Sequence, residues 1–351
     1  MESKRICYFD YSKGILIFLV VLGHCISYGC GANYMNKELY YSNWLYKIIY
    51  TFHMPAFALI SGYFIWHSMQ KFQSEEFRLL PFLRDKAIHL LLPLAIYRLL
   101  YYLYDLCFLR SFTWKGYVYN SIYDFLFSSW YIWAVFFAIV IISFTYKFSI
   151  DKWWIFTIII AITMIVPDFK YAELKFVLPF FFIGYLYNKH SKNPHIFPKR
   201  KMFIFVLCNI TIFFITIIFY TKDTYIYTSG YSLLNSEWAY HLLQNALRFI
   251  SGFTGSIIFL YLISFLPNHD GCNRVTKPIL RLVSSLGVNS FGIYMIHAYV
   301  NIGVRYLCND RTGYNFWFVL ILSFAVCGIS YIATLLLGKF KITRKLFLGG
   351  K

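Results

Sequence analysis

Ten apolar segments recur along this 351-residue chain, at about 14–33, 44–66, 87–108, 125–146, 153–167, 174–188, 202–220, 242–266, 283–303 and 315–338. A helix needs ~20 such residues to cross a hydrocarbon core of ~30 Å. A soluble fold has no interior for so many. Hydrophobic residues make up 59% of the chain and charged ones only 14%, with mean hydropathy +0.57, far from the composition of a soluble domain. The backbone of each segment must satisfy its own hydrogen bonds in lipid, so helices are the expected form. The expectation is an all-α polytopic bundle of about ten transmembrane helices, one integral-membrane domain over 1–351, with the lipid bilayer as its surroundings.

The net charge of +18 would point to nucleic acid in a soluble protein. Here its distribution gives another reason. With the N-terminus inside, 22 Lys and Arg fall in the inner connections and 8 in the outer ones. The positive-inside rule then puts both termini in the cytoplasm, and no nucleic-acid partner is needed. Lys4 and Arg5 before an apolar run resemble a signal peptide. The run lacks a small-x-small cleavage site and contains a histidine, so it reads as an uncleaved first span. A bacterial cytoplasmic (inner) membrane is the expected location. Eight cysteines include no CxxC pair and read as small apolar residues. Cys30 and Cys308 both fall toward the outer side, where pairing is the alternative.

The stretch from Asp10 to His24 carries the first chemistry. Eleven residues separate Lys13 from His24, roughly 16 Å of helical rise, which places the imidazole near mid-bilayer. Helical periodicity puts Asp10, Lys13 and His24 on one stripe. Ionisable groups at that depth are costly and mark function by default. His53 and His297 recur at comparable depth in other spans. With no HExxH and no acidic cluster, no metal is expected; a neutral imidazole suits a general base acting on a hydroxyl.

Pro55 is expected to kink the second span, and Ser61-Gly62 offers a close-packing surface. In the ninth, Ser290, Tyr294, His297 and Asn301 share one helical face, as either a packing network or a pocket wall. Val166-Pro167-Asp168 reads as a turn, and 221–241 as a short lid or re-entrant segment. Arg98 reads as a structural ion pair or carbonyl contact, whereas Arg248 is placed in a polar cavity on the outer half. Arg84, Lys86 and His89 precede the third span. With Lys13 they are suited to an anionic cofactor from the cytoplasm, or to lipid headgroups. Tyrosines and tryptophans near the segment ends read as interfacial anchors.

Four short motifs in order then carry a resemblance. Asp10-x-x-Lys13-Gly14 leads to Gly23-His24, and Met54-Pro55-x-Phe57 to Ile60-Ser61-Gly62-Tyr63. Ser129-Trp130-Tyr131 opens the fourth span, and Gly287-x-Asn289-Ser290 is followed by Ile293-Tyr294-x-x-His297. Together they resemble acyltransferase family 3. The resemblance implies a ten-helix membrane enzyme that moves an acyl group, usually acetyl from acetyl-CoA, onto a sugar hydroxyl. It implies His24 as the catalytic residue and Lys13 as a cofactor contact. The family's basic pair at the start of the third span falls on Lys86 and His89, with Arg84 as a substitute cation. The soluble esterase-like domain that some members append is not in this sequence.

The expected activity is therefore acetyl transfer from acetyl-CoA to a glycan or lipid-linked glycan. His24 is the catalytic group, and Lys13, Arg84, Lys86 and His89 are the cofactor contacts. His53, Trp130, Arg248, Tyr294 and His297 are the expected acceptor contacts. The rival is a polysaccharide exporter, because intramembrane His and Arg also mark transport pathways. The lack of a duplicated half and the presence of one clear Pro-kinked span favour the enzyme.

Overall fold

The computed structural model describes residues 7–36, 39–72, 77–104, 107, 113–127, 129–166, 172–191, 203–230, 233–234, 236–267, 276–311 and 313–350. Among these the elements are helical: α1 (Cys7–Gly29), α2 (Ala32–Asn36), α3 (Leu39–Ser42), α4 (Trp44–Lys71), α5 (Leu79–Tyr104), α6 (Trp114–Phe127), α7 (Trp130–Lys147) and α8 (Trp153–Ile165). They continue as α9 (Ala172–His190), α10 (Phe203–Phe219), α11 (Ile226–Ser229), α12 (Trp238–Ile263), α13 (Thr276–Val288), α14 (Ser290–Leu307), α15 (Phe316–Gly338) and α16 (Lys341–Leu348). Pro167, Asp168, Cys272 and the basic residues Lys4, Arg5, Lys37, Arg110, Lys170, Lys192, Lys199, Arg200, Lys201, Arg274 and Lys351 lie outside the described residues.

The protein is an all-α membrane helix bundle. Each expected apolar segment falls on a helix, except that 283–303 falls on two, and length and hydropathy distinguish them. Among the described residues α1, α4, α7, α12 and α15 are long and apolar enough to cross a membrane, and α13 with α14 makes a sixth if the pair is one span. The 13-residue α8 is only ~20 Å long, short of the hydrocarbon thickness. Rows of apolar side chains face outward, including Ile321, Phe324 and Ile332 of α15 and Ile204, Phe214 and Ile218 of α10. A water-facing helix does not carry such rows; hydrocarbon accepts them.

The chain forms two compact units that alternate along the sequence: 1–57, 192–228 and 243–335 in the first, 58–191, 229–242 and 336–351 in the second. In the first unit, α1 is buried along most of its length and crosses α13 at two glycines. A Cβ on Gly14 would lie 2.0 Å from Val283 O, and one on Gly287 would lie 1.8 Å from Asp10 O. Only glycine permits backbones to meet so closely. Tyr8 donates to Leu260 O at 2.9 Å, tying α1 to α12, and the Ser285 and Tyr331 hydroxyls pair at 2.7 Å between α13 and α15. The expected single span at 283–303 is in fact two helices meeting at 80°. Asn289 makes the corner: its backbone leaves helical geometry (φ −96, ψ 10). Its backbone N–H donates to Ser285 O at 3.1 Å and its side-chain amide to the same carbonyl at 2.8 Å, so both donors of the corner residue are tied back to the last turn of α13.

The second unit has a core of Ile65, Met69, Phe82, Ala138, Ile142, Phe156, Phe181 and Tyr185. α4 crosses α9 with Gly62 against Phe181 O and Gly184 against Leu59 O, the close packing expected at Ser61-Gly62. Prolines lie inside α5 and α9 as well as α4, at Pro93 and Pro179, so more than one span is proline-bearing. α5 begins at Leu79 rather than near 87, because Pro81 falls in its first turn where proline is tolerated. Arg84, Lys86 and His89 therefore lie on the helix and not before it. α6 was not expected; its tyrosines and polar residues hide it from an apolar-run search. Tyr102 donates to Asp124 at 2.6 Å, and Arg98 donates to Ser129 at 3.0 Å while standing 3.9 Å from Asp124. Arg98 thus has the structural role the sequence indicated, holding the α6–α7 corner.

Candidate active site

Three imidazoles gather in the first unit, each placed by a different helix. The His24 ring on α1 lies 5.2 Å from the His297 ring on α14, centroid to centroid. Tyr50 on α4 links His53 to them: its ring stands 5.0 Å from His53 and lies against Gly23, where a Cβ would fall 2.5 Å from the phenol ring. The glycine before His24 is therefore space for Tyr50.

The three histidines are not equivalent. His53 and His297 are buried, at 4% and 2% exposure. Their Nδ1 atoms contact Ile49 O at 2.6 Å and Ile293 O at 3.1 Å. A carbonyl only accepts, so each Nδ1 must carry the proton, and in the neutral ring Nε2 is left as an acceptor. A neutral His297 therefore presents a lone pair to the site. His24 is half-buried and has no hydrogen-bonding partner among the described residues. It is the imidazole free to take a proton.

Phenols wall this site. Tyr28 stacks on His24 with centroids 5.9 Å apart, and Tyr294 stands 5.6 Å from His297. Tyr46 stacks on Tyr50 at 3.9 Å and meets Tyr225 at 5.7 Å. Of these tyrosines the sequence singles out only Tyr294; Tyr28, Tyr46, Tyr50 and Tyr225 fall under the general reading of aromatic residues as interfacial anchors. The signal for the wall was the spacing Tyr46, Tyr50, His53, which places all three on one face of α4.

Arg248 is engaged differently from the expectation. Its guanidinium is 1% exposed and donates to Thr224 O at 2.5 Å, Asp223 O at 2.9 Å, Tyr225 O at 3.4 Å and Asn245 Oδ1 at 2.6 Å. It clamps the 3-10 turn Lys222–Thr224, which holds Tyr225 in the tyrosine wall. Arg248→Met is expected to destabilise the protein by about 3 kcal/mol or more, because the freed carbonyls stay buried. The check is a lower unfolding temperature together with faster proteolysis in the 222–230 region.

Lys13 stands 3.5 Å from Asp10 on α1 and is half-buried. The remaining candidates lie in the second unit. Arg84 is exposed; Lys86 donates to Ser68 at 2.8 Å and is 3.7 Å from Asp85. His89 Nδ1 donates to Asp85 O at 2.5 Å. Trp130 opens α7, half-buried against the Tyr131 ring at 5.7 Å. No cluster of three or more metal-ligating side chains occurs among the described residues.

This geometry, a free imidazole among phenols inside an all-helical membrane bundle, accompanies a sequence match over nearly the whole chain. Residues 6–335 match the profile of the acyltransferase domain family, Acyl_transf_3. The chain belongs to this family. It is a multi-pass membrane member of that family. Two similar proteins are both named nodulation protein NolL. That of Mesorhizobium japonicum is 26% identical over 73% of this chain and 65% of its own length. That of Sinorhizobium fredii is 26% identical over 85% of this chain and 78% of its own length. The chain thus spans just under two thirds of the first relative's length. No solved structure matches the sequence. The family motifs acquire physical roles here: Gly14 and Gly287 set a helix crossing, Asn289 caps a corner, and Gly23 makes room for Tyr50.

Proposed function

We propose that this acyltransferase transfers acetyl from acetyl-CoA to a hydroxyl of a cell-surface polysaccharide or its lipid-linked precursor, in a bacterial cytoplasmic membrane. The observation that carries the reading is His24: half-buried, without a hydrogen-bond partner among the described residues, and flanked by His297 and Tyr28. A neutral imidazole there takes the acceptor hydroxyl's proton as the oxygen attacks the thioester carbonyl. The C–O bond forms, the C–S bond breaks, and the coenzyme A thiolate leaves and is protonated. Acceptor-only nitrogens on His53 and His297 and the surrounding phenols suit an uncharged, hydroxyl-rich ligand. For the anionic donor, Lys13 is the candidate cation within the first unit. Within the second they are Arg84 and Lys86, with His89 beside them; Arg84 is the exposed member and is suited to bidentate phosphate contact. Trp130 and Tyr294 keep their proposed acceptor roles as aromatic surfaces.

The test is to supply labelled acetyl-CoA to membranes containing the protein and to extract the glycan. Label is expected in alkali-labile ester linkage on sugar. Loss of surface polysaccharide on deleting the protein, with no label incorporated by the wild type, would overturn the reading in favour of an exporter.

A further inference from the structure

Asn301 stands one helical turn beyond His297 on the same buried face of α14, about 6 Å further along. It is 3% exposed. Among the described residues neither end of its carboxamide, Nδ2 nor Oδ1, has a hydrogen-bond partner. Buried amides are almost always paired, and leaving both ends open is costly enough to demand an explanation. Packing does not supply one, because an isosteric leucine would fill the space without the penalty.

The surroundings indicate what the amide faces. α1 and α14 run in the same direction: His24 meets His297, and further on Gly31 approaches Arg311 O. The next turn of each helix after the histidine pair therefore brings Tyr28 and Asn301 to one level. The rings of His24, Tyr28, Tyr294 and His297 gather on these turns. The buried cation of the unit, Arg248, is directed to the 223–225 carbonyls. Apart from Arg248, the buried side chains named here carry no fixed charge, and Arg305, one turn beyond Asn301 on α14, is exposed. His53 and His297 in their neutral forms offer acceptors, and Asn301 adds a donor beside an acceptor.

We propose that Asn301 binds the acyl acceptor, its Oδ1 accepting from one hydroxyl and its Nδ2 donating to a neighbouring oxygen, so that the acceptor is an uncharged sugar bearing adjacent hydroxyls. This rests on the acetyl-transfer reading for its substrate. It goes beyond that reading in assigning a recognition residue and a charge class.

Two substitutions test it, each read by two measurements on the full-length protein purified in detergent. Asn301→Leu keeps the volume and removes the polar ends; Asn301→Asp keeps an acceptor and removes the donors. The first measurement is the unfolding temperature of the ligand-free protein. Asn301→Leu is expected to raise it, because an unmet amide is removed; a fall would mean that the amide serves the fold, and would overturn the proposal. The second is acetyl transfer to neutral polysaccharide extracted from the host's own membranes. Both variants are expected to raise KM for that acceptor at least tenfold while KM for acetyl-CoA holds. An unchanged acceptor KM, or a fall confined to kcat, would overturn it. If the wild type acetylates nothing, the acetyl-transfer reading fails by itself, and the unfolding temperature still decides whether Asn301 is reserved for a ligand.

Discussion

His24→Ala is expected to abolish most acyl transfer and leave the fold intact. A positioned general base typically contributes 10²–10⁴-fold, about 3–5 kcal/mol of transition-state stabilisation. The stability cost is expected to stay within about 1 kcal/mol, because His24 makes no hydrogen bond among the described residues and is only half-buried. His53→Ala and His297→Ala behave differently. Those rings are buried and tied by Nδ1 to Ile49 O and Ile293 O, so their loss opens cavities and frees carbonyls, lowering stability along with activity. The measurement is turnover of labelled acetyl-CoA set beside unfolding temperature for the three variants. Retained turnover in folded His24→Ala would remove the imidazole from the chemistry.

The three histidines were legible in the sequence because an ionisable group in an apolar run stands out whatever the fold. Their division of labour was not. It depends on whether a carbonyl four residues earlier is close enough to fix Nδ1, and both His53 and His297 have such a carbonyl while His24 has none. Arg248 illustrates the same limit. Its place on a polar helix face was readable, but the 3-10 turn that takes its guanidinium comes from a connection that sequence pattern leaves open. Besides the short α2, α3 and α11, the helices missed are α6 and α16, whose charged and tyrosine residues break the apolar runs. The corner at Asn289 was hidden for the opposite reason. The apolar pattern continues through it, and only the amide returning to Ser285 O marks the break.

The corner and the glycine crossing below it lead to the second large effect. Gly287→Ala places a Cβ 1.8 Å from Asp10 O, and Gly14→Ala places one 2.0 Å from Val283 O. Both obstacles are backbone atoms on packed helices, so no rotamer change relieves the clash and α1 must move away from α13. Overpacking of this kind costs about 1–3 kcal/mol or more. The consequence for activity is larger, since ten residues further along both segments His24 meets His297. Displacing a catalytic group by ~1 Å can cost ~10²-fold. Gly287→Ala is therefore expected to lower the unfolding temperature and to cut transfer about 100-fold in the protein that remains folded. Gly303→Ala is the matched control, a helical glycine on α14 whose added Cβ meets nothing within 4 Å; it is expected to be neutral or slightly stabilising. Because either alanine alone forces the same separation, Gly14→Ala added to Gly287→Ala should cost less than it does alone. Additive losses would mean that the two glycines serve different contacts, and that the crossing does not set the spacing of the histidine pair.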